Sequence, residues 1–221
     1  MKKNKKFISK QHNSTKRLYL DRMNNSKIDC MKIAKAFSQK YWDGDRKFGY
    51  GGYYLIPGYW KKMALNIIKN YKLNNNSTIL DIGCGKGFLL YEIKKILPNI
   101  KLTGIDISKY AIKNSPIEIK KHLIYCDARK KLPFKKKEFD FVYSFNCLHN
   151  FKINELIIAL KEIVRISNKS YLVVESYRNE KELFNLQCWA LTCQSFFSKD
   201  EWLWLFKKFN YNRDYEFIYF R

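Results

Sequence analysis

The sequence predicts an α/β fold: a doubly wound, mostly parallel sheet covered by helices on both faces, with an N-terminal helical and lid extension. Three observations carry this. Short apolar runs, such as Thr78 to Ile82 and Phe139 to Phe145, alternate with longer segments of helical period. The runs are continuous rather than alternating, as strands buried on both faces require. The first run enters a glycine-rich turn and then a helix, the layout found at the ligand-binding end of open sheets.

Taken in order, residues 1 to 25 are polar, basic and aperiodic, and read as a flexible tail. Residues 26–221 read as one domain, with N-terminal helices and a lid over 26–75 and the core over 76–221. Ile28, Met31, Ile33, Ala34 and Phe37 suit a short helix. Tyr41 to Trp60 mixes glycine with aromatics and has no period. Met63, Ala64, Ile67, Ile68 and Tyr71 mark a helix face that stops at the turn Asn74 to Asn76. Strands follow at Thr78 to Ile82, Lys101 to Asp106, His122 to Cys126, Phe139 to Phe145, Tyr171 to Glu175 and Tyr215 to Phe220. Between them fall helices from Phe88 to Leu97, Tyr110 to Asn114 (capped by Ser108) and Glu155 to Ile166. Ser198 and Glu201 form a capping box for a helix through Phe209.

Composition narrows the class. With 46% hydrophobic and 17% aromatic residues in 221, the chain can build one substantial core. The net charge of +23 invites a polyanionic partner, yet the lysines are scattered along the whole chain. No uncharged stretch reaches the ~18 apolar residues of a membrane span, and no apolar run follows the basic start. The six cysteines contain no C-x-x-C pair, so no metal site is expected. Free thiols fit a cytoplasmic protein.

The chemistry concentrates in Ile79-Leu80-Asp81-Ile82-Gly83-Cys84-Gly85-Lys86-Gly87-Phe88. A dinucleotide fingerprint needs glycine where Phe88 stands, and a phosphate loop needs Ser or Thr after Lys86, where Gly87 stands. Asp81 would repel a pyrophosphate but suits a ligand bearing an ammonium and a sulfonium. Asp106 ends the second strand nineteen positions past Gly87, where an acid takes ribose hydroxyls. Asp127 ends the third strand beside Ala128, where it can meet an adenine amino group.

With these motifs, residues 79 to about 177 resemble the class I, Rossmann-like S-adenosylmethionine (SAM)-dependent methyltransferases, of the small methyltransferase type 11 kind. The loop Asp81 to Gly87, Asp106 in Gly-Ile-Asp-Ile-Ser, Asp127-Ala128 and the block Phe139 to Phe151 carry the resemblance. It implies that SAM is the cofactor and S-adenosylhomocysteine the product. It further implies that Asp81, Gly83, Cys84, Gly85 and Gly87 hold the methionine moiety, Asp106 and Ile107 the ribose, Asp127 and Ala128 the adenine, and that Asn146 lines the cleft. The family usually ends in a two-strand hairpin, for which this chain has little room. The expectation is a sheet closed by an antiparallel C-terminal edge strand, with a further edge strand possible from Trp189 to Phe197.

Methyl transfer asks the protein to align two groups and exclude water, with a base only where the acceptor must lose a proton. His149, after the fourth strand, is the candidate base or acceptor-positioning group. In the Tyr41 to Trp60 segment, Tyr50, Tyr53, Tyr54 and Trp60 are candidate walls of a lid, and Arg46 a candidate holder of an anionic group. The favoured acceptor is a small molecule or glycan methylated on oxygen or nitrogen. An RNA or protein acceptor using the basic surface is the alternative, and a non-catalytic SAM-binding scaffold the third reading.

Overall fold

The computed structural model describes residues 4–9, 12 and 15–221; the first three residues of the expected tail, with Lys10, Gln11, Asn13 and Ser14, lie outside that set. Six strands form one sheet: β1 (Thr78–Ile82), β2 (Lys101–Asp106), β3 (Leu123–Tyr125), β4 (Phe141–Phe145), β5 (Ser170–Glu175) and β6 (Asp214–Ile218). Their order is β3-β2-β1-β4-β5-β6, and every pairing is parallel. The order reverses beside β1, between β2 and β4, and open sheets bind ligands outside the strand ends at such a switch.

Strand alternation divides the core into two layers. Ile79, Phe141, Tyr143, Tyr171 and Val173 point to one face, where they meet α4 (Lys61–Tyr71) and α5 (Phe88–Ile96). Leu80, Ile82, Val142, Leu172 and Val174 point to the other, against α8 (Ile153–Ile166) and α10 (Lys199–Lys208). The helices before α4 are α1 (Tyr19–Asn24), α2 (Lys27–Ala34) and α3 (Gln39–Trp42). Those that complete the chain are α6 (Lys109–Lys113), α7 (Ile117–Lys120) and α9 (Glu180–Trp189). Ser108 caps α6 through the Ala111 amide, and Ser198 and Glu201 form the expected capping box on α10.

The expected antiparallel edge strand is corrected. The chain leaves the carboxyl end of β5, and α9 and α10 return it to the amino end, so β6 must run parallel to β5; an antiparallel neighbour needs a hairpin instead. Trp189 to Phe197 supplies no strand: α9 ends in it and the rest is irregular.

The described part of the expected tail is packed as well. The buried Glu216 carboxylate on β6 accepts from the amides of Phe7 (2.8 Å), Ile8 (3.0 Å) and Ser9 (2.5 Å), and from the Tyr171 hydroxyl. A buried carboxylate requires such donors, and the chain before residue 10 provides them. Asn4 bridges Tyr215 and so covers the outer edge of β6. Among the described residues no helix is long and apolar enough to cross a membrane.

Candidate active site

The turn after β1 is tied to β2, for the amides of Gly83 and Cys84 both donate to the Ile105 carbonyl at 2.8 and 3.0 Å. Gly83 takes φ +77° and Gly85 φ +56°, in the left-handed region. Neither has room for a side chain. A Cβ on Gly83 would come within 2.5 Å of the Cys147 side chain, and one on Gly85 within 2.8 Å of the Trp42 ring.

Beside this turn, over the carboxyl ends of β1, β2 and β4, lies a cavity of about 340 Å³. Gly83, Asp106, Ile107, Asp127, Ala128 and Asn146 from the expected cofactor set line it, as does Tyr50 from the lid. Asp81 is buried behind the wall near the Tyr143 hydroxyl. Burial, with Asp106 nearby, lifts its pKa well above the usual carboxylate range. Burial also raises the pKa of Asp106, against the backbone amides of Ser108 and Gly85, each 2.7 Å from one of its oxygens. The Arg129 guanidinium grips both oxygens of Asp127 at 2.8 and 2.9 Å and holds its pKa low.

Two polar atoms in the wall are unsatisfied. Asn146 Oδ1 and Asn150 Oδ1 are buried with no hydrogen-bond partner among the described residues. Asn146 holds φ +53°, in the left-handed region that asparagine tolerates better than other residues with a side chain. Buried acceptors without donors, on residues that line a cavity, suit a ligand that brings N–H or O–H groups.

The aromatic segment expected to form a lid packs on the glycine turn. Trp42 lies against Gly85, and its indole N–H reaches Ser108 Oγ at 2.9 Å. Tyr50 stacks on Trp42 (centroids 5.2 Å apart) and Tyr53 on Phe88 (4.9 Å). Asp43 fastens this arrangement. Its carboxylate receives the Lys86 ammonium at 2.7 and 2.8 Å, the Tyr110 hydroxyl at 2.8 Å and the Tyr53 amide at 3.0 Å. Burial works to raise the Asp43 pKa, but these partners hold it below the usual carboxylate value.

Several expected residues stand elsewhere. Tyr54 points outward, Trp60 packs on the core ahead of α4, and Arg46 lies over Trp189, outside the cavity. Cys84 turns toward Gly104, and Gly85 and Gly87 sit behind the cavity wall. His149 is buried off the cavity. Its Nδ1 accepts the Glu175 amide at 3.2 Å, which places the imidazole proton on Nε2, 3.4 Å from the Glu175 carboxylate. Burial depresses its pKa to about 3 and lifts that of Glu175 to about 7. Sequence reasoning missed Tyr41, Trp42, Asn150, Thr192 and Gln194 in the wall. The first two share the aromatic segment already noted. Thr192 and Gln194 carry no local signal.

Residues 73–210 match the protein family described as a methyltransferase domain. The malonyl-[acyl-carrier protein] O-methyltransferase of Bacillus anthracis is 25% identical over 158 residues, which is 64% of this chain and 58% of that protein. Its Bacillus cereus counterpart is 26% identical over 192 residues, 79% of this chain and 70% of that one. A tRNA (guanine-N(7)-)-methyltransferase of Mycoplasma capricolum shares 48% identity over 56 residues, 25% of this chain and 24% of that protein. The structure of YcgJ from Bacillus subtilis superimposes with a TM-score of 0.53 at 19% identity, covering 66% of each chain. The chain thus spans less than two thirds of the Bacillus anthracis relative.

Proposed function

The chain belongs to the class I SAM-dependent methyltransferases, and from that premise we propose that it binds SAM in the cavity beside the glycine turn and methylates a small-molecule or glycan acceptor on oxygen or nitrogen. The observation that carries the reading is the meeting of Asp106, Asn146 and Asn150, two of them with unsatisfied acceptors, in one cavity at the sheet's switch point. These groups fit SAM: Asp106 suits ribose hydroxyls, the asparagine oxygens suit an amino group, and the buried Asp81 suits an ammonium. When bound, SAM supplies a methyl already activated by its sulfonium. The protein's own part is to orient and to exclude water, through Trp42 and Tyr50 above the turn and Asn146 in the wall. In this reading His149 is a positioning residue: it joins the turn after β4 to the end of β5.

The names of the two malonyl-[acyl-carrier protein] relatives support a small acceptor methylated on oxygen. The net charge of +23 and the 56-residue likeness to a tRNA methyltransferase favour RNA as the second reading. Calorimetry with SAM and S-adenosylhomocysteine should give saturable binding, with NAD and ATP silent; absence of heat with both adenosyl ligands removes the proposal. Transfer of labelled methyl to malonyl-acyl carrier protein, to sugars and to RNA then separates the acceptors.

A further inference from the structure

On the far side of the lid from the glycine turn, three arginines surround one indole. The guanidinium carbons of Arg17, Arg22 and Arg46 lie 5.4, 4.9 and 5.2 Å from the centre of the Trp189 ring. They come from three separate places: the chain before α1, α1 itself and the lid. Among the described residues, none of the three has a carboxylate within ion-pair distance. Gathering like charges without counterions is unfavourable, so the arrangement calls for a cause.

Part of the cause is local. Trp189 ends α9, whose last carbonyls attract cations. Lys27 reaches the carbonyls of Cys188 and Ala190 at 2.7 and 2.6 Å, and Arg22 Nε that of Trp189 at 3.4 Å. Lys27 and one edge of Arg22 therefore already cap the helix. Arg46 meets the Trp189 ring but makes no hydrogen bond to those carbonyls; it bonds the Gly49 carbonyl and is exposed. Arg17 is half-buried; its Nη1 donates to the His12 and Thr15 carbonyls at 3.1 and 3.0 Å, while its Nε–H is buried with no acceptor among the described residues. The Arg17 Nε–H and the outer edge of Arg46 are therefore donors that the fold does not use.

The cluster adjoins the cavity through short stretches of chain. Trp189 precedes Thr192 by three residues and Arg46 precedes Tyr50 by four, and both Thr192 and Tyr50 line the cavity. The Arg22 guanidinium also donates to the Arg46 carbonyl at 2.6 Å, which joins α1 to the lid. Glu175 is the acidic group whose field reaches Arg17, and burial weakens its charge by lifting its pKa to about 7.

We propose that Arg17, Arg22 and Arg46, arranged around Trp189, form a binding site for the anionic group, carboxylate or phosphate, of the methyl acceptor. The inference rests on the methyltransferase reading and adds to it the charge of the substrate. Planar guanidiniums suit both anions because each offers two parallel N–H donors. The anion would also neutralise the cluster and tie the segments around α1 to the lid, so acceptor and lid order together.

Calorimetric titration of the full-length protein with inorganic phosphate and, separately, with malonate tests this, with Trp189 fluorescence as a second readout. Saturable binding is expected with at least one of them, weakened about tenfold or more by Arg46→Gln and less by Arg46→Lys, where tenfold is ~1.4 kcal/mol. The tighter ligand identifies the source of the anion. Arg46 is exposed, so its replacement keeps the test usable if Arg22→Gln fails to fold. S-adenosylhomocysteine is titrated in parallel. If it binds while neither anion shows saturable heat, or if Arg46→Gln binds the anions as the wild type does, the arginine site is overturned and the cofactor reading stands. If anions bind and S-adenosylhomocysteine does not, the arginine site stands and the cofactor reading falls.

Discussion

Asp81 meets opposing demands. Burial and the neighbouring Asp106 raise its pKa, so it keeps its proton to a higher pH than an exposed carboxyl does. Pairing with the ammonium of SAM needs the ionised form. Binding should therefore release a proton, and affinity should fall as pH drops through the pKa of Asp81, by up to about tenfold per unit. Calorimetry of S-adenosylhomocysteine in buffers of different protonation heat measures the released proton, and Asp81→Asn should abolish it. Equal heats in all buffers would mean that Asp81 takes no part. His149 presents the reverse case: with a pKa near 3 and both ring nitrogens facing Glu175, it does not titrate near neutrality. His149→Ala should cost ~1–3 kcal/mol of stability by leaving the Glu175 amide unpaired. The acid limb of the pH–rate profile should persist in that variant. Its loss would return His149 to the role of base expected from its place in the sequence.

At the scale of elements, a largely buried ion pair fastens the expected lid to the glycine turn, beside the packing of Trp42 on Gly85 and Tyr53 on Phe88. Lys86, a residue with no role in the glycine pattern itself, pairs with Asp43, and Tyr110 from α6 completes the knot. Because Trp42 rests on Gly85, a ligand can reach that glycine only if the lid lifts. Asp43→Asn should weaken the closed state and speed both association and release of S-adenosylhomocysteine, by about tenfold for each ~1.4 kcal/mol lost. Stopped-flow tryptophan fluorescence follows this, since Trp42 lies at the site. Unchanged rates would show that closure does not limit access. The segment expected to form a lid was legible in sequence as an aperiodic aromatic stretch, but its fastening to the glycine turn was not. Asp43 and Lys86 are separated by 43 residues, and nothing local relates them.

At the scale of the molecule, the charge of +23 separates into a diffuse part and an organised part. Scattered lysines give only a general attraction for polyanions, which weakens as counterions accumulate. RNA binding should accordingly collapse between about 50 and 200 mM salt, as filter binding or anisotropy would show. RNA held tightly and selectively beyond that range would favour the RNA reading. The organised part is the arginine group around Trp189, assembled from the chain before α1, from α1, from the lid and from α9.

What the sequence by itself determined is the order of the six strands and of the longer helices except α9, the glycine turn, and acids at or near the ends of the first three strands. Those features are local: apolar periodicity, a φ that glycine tolerates and a cap three residues from its amide can each be read from a few neighbouring residues. Tertiary structure decided the rest. The direction of β6 depends on the path of α9 and α10, and α9 escaped notice because its buried face mixes Glu182 and Asn185 with Leu186 and Cys188. The docking of residues 7–9 depends on a carboxylate more than two hundred positions away. The retreat of His149 from the cavity and the gathering of Arg17, Arg22 and Arg46 likewise follow from which surfaces meet when the two core layers close on the sheet. Burial and charge partnership are properties of that closure, and no window of sequence contains them.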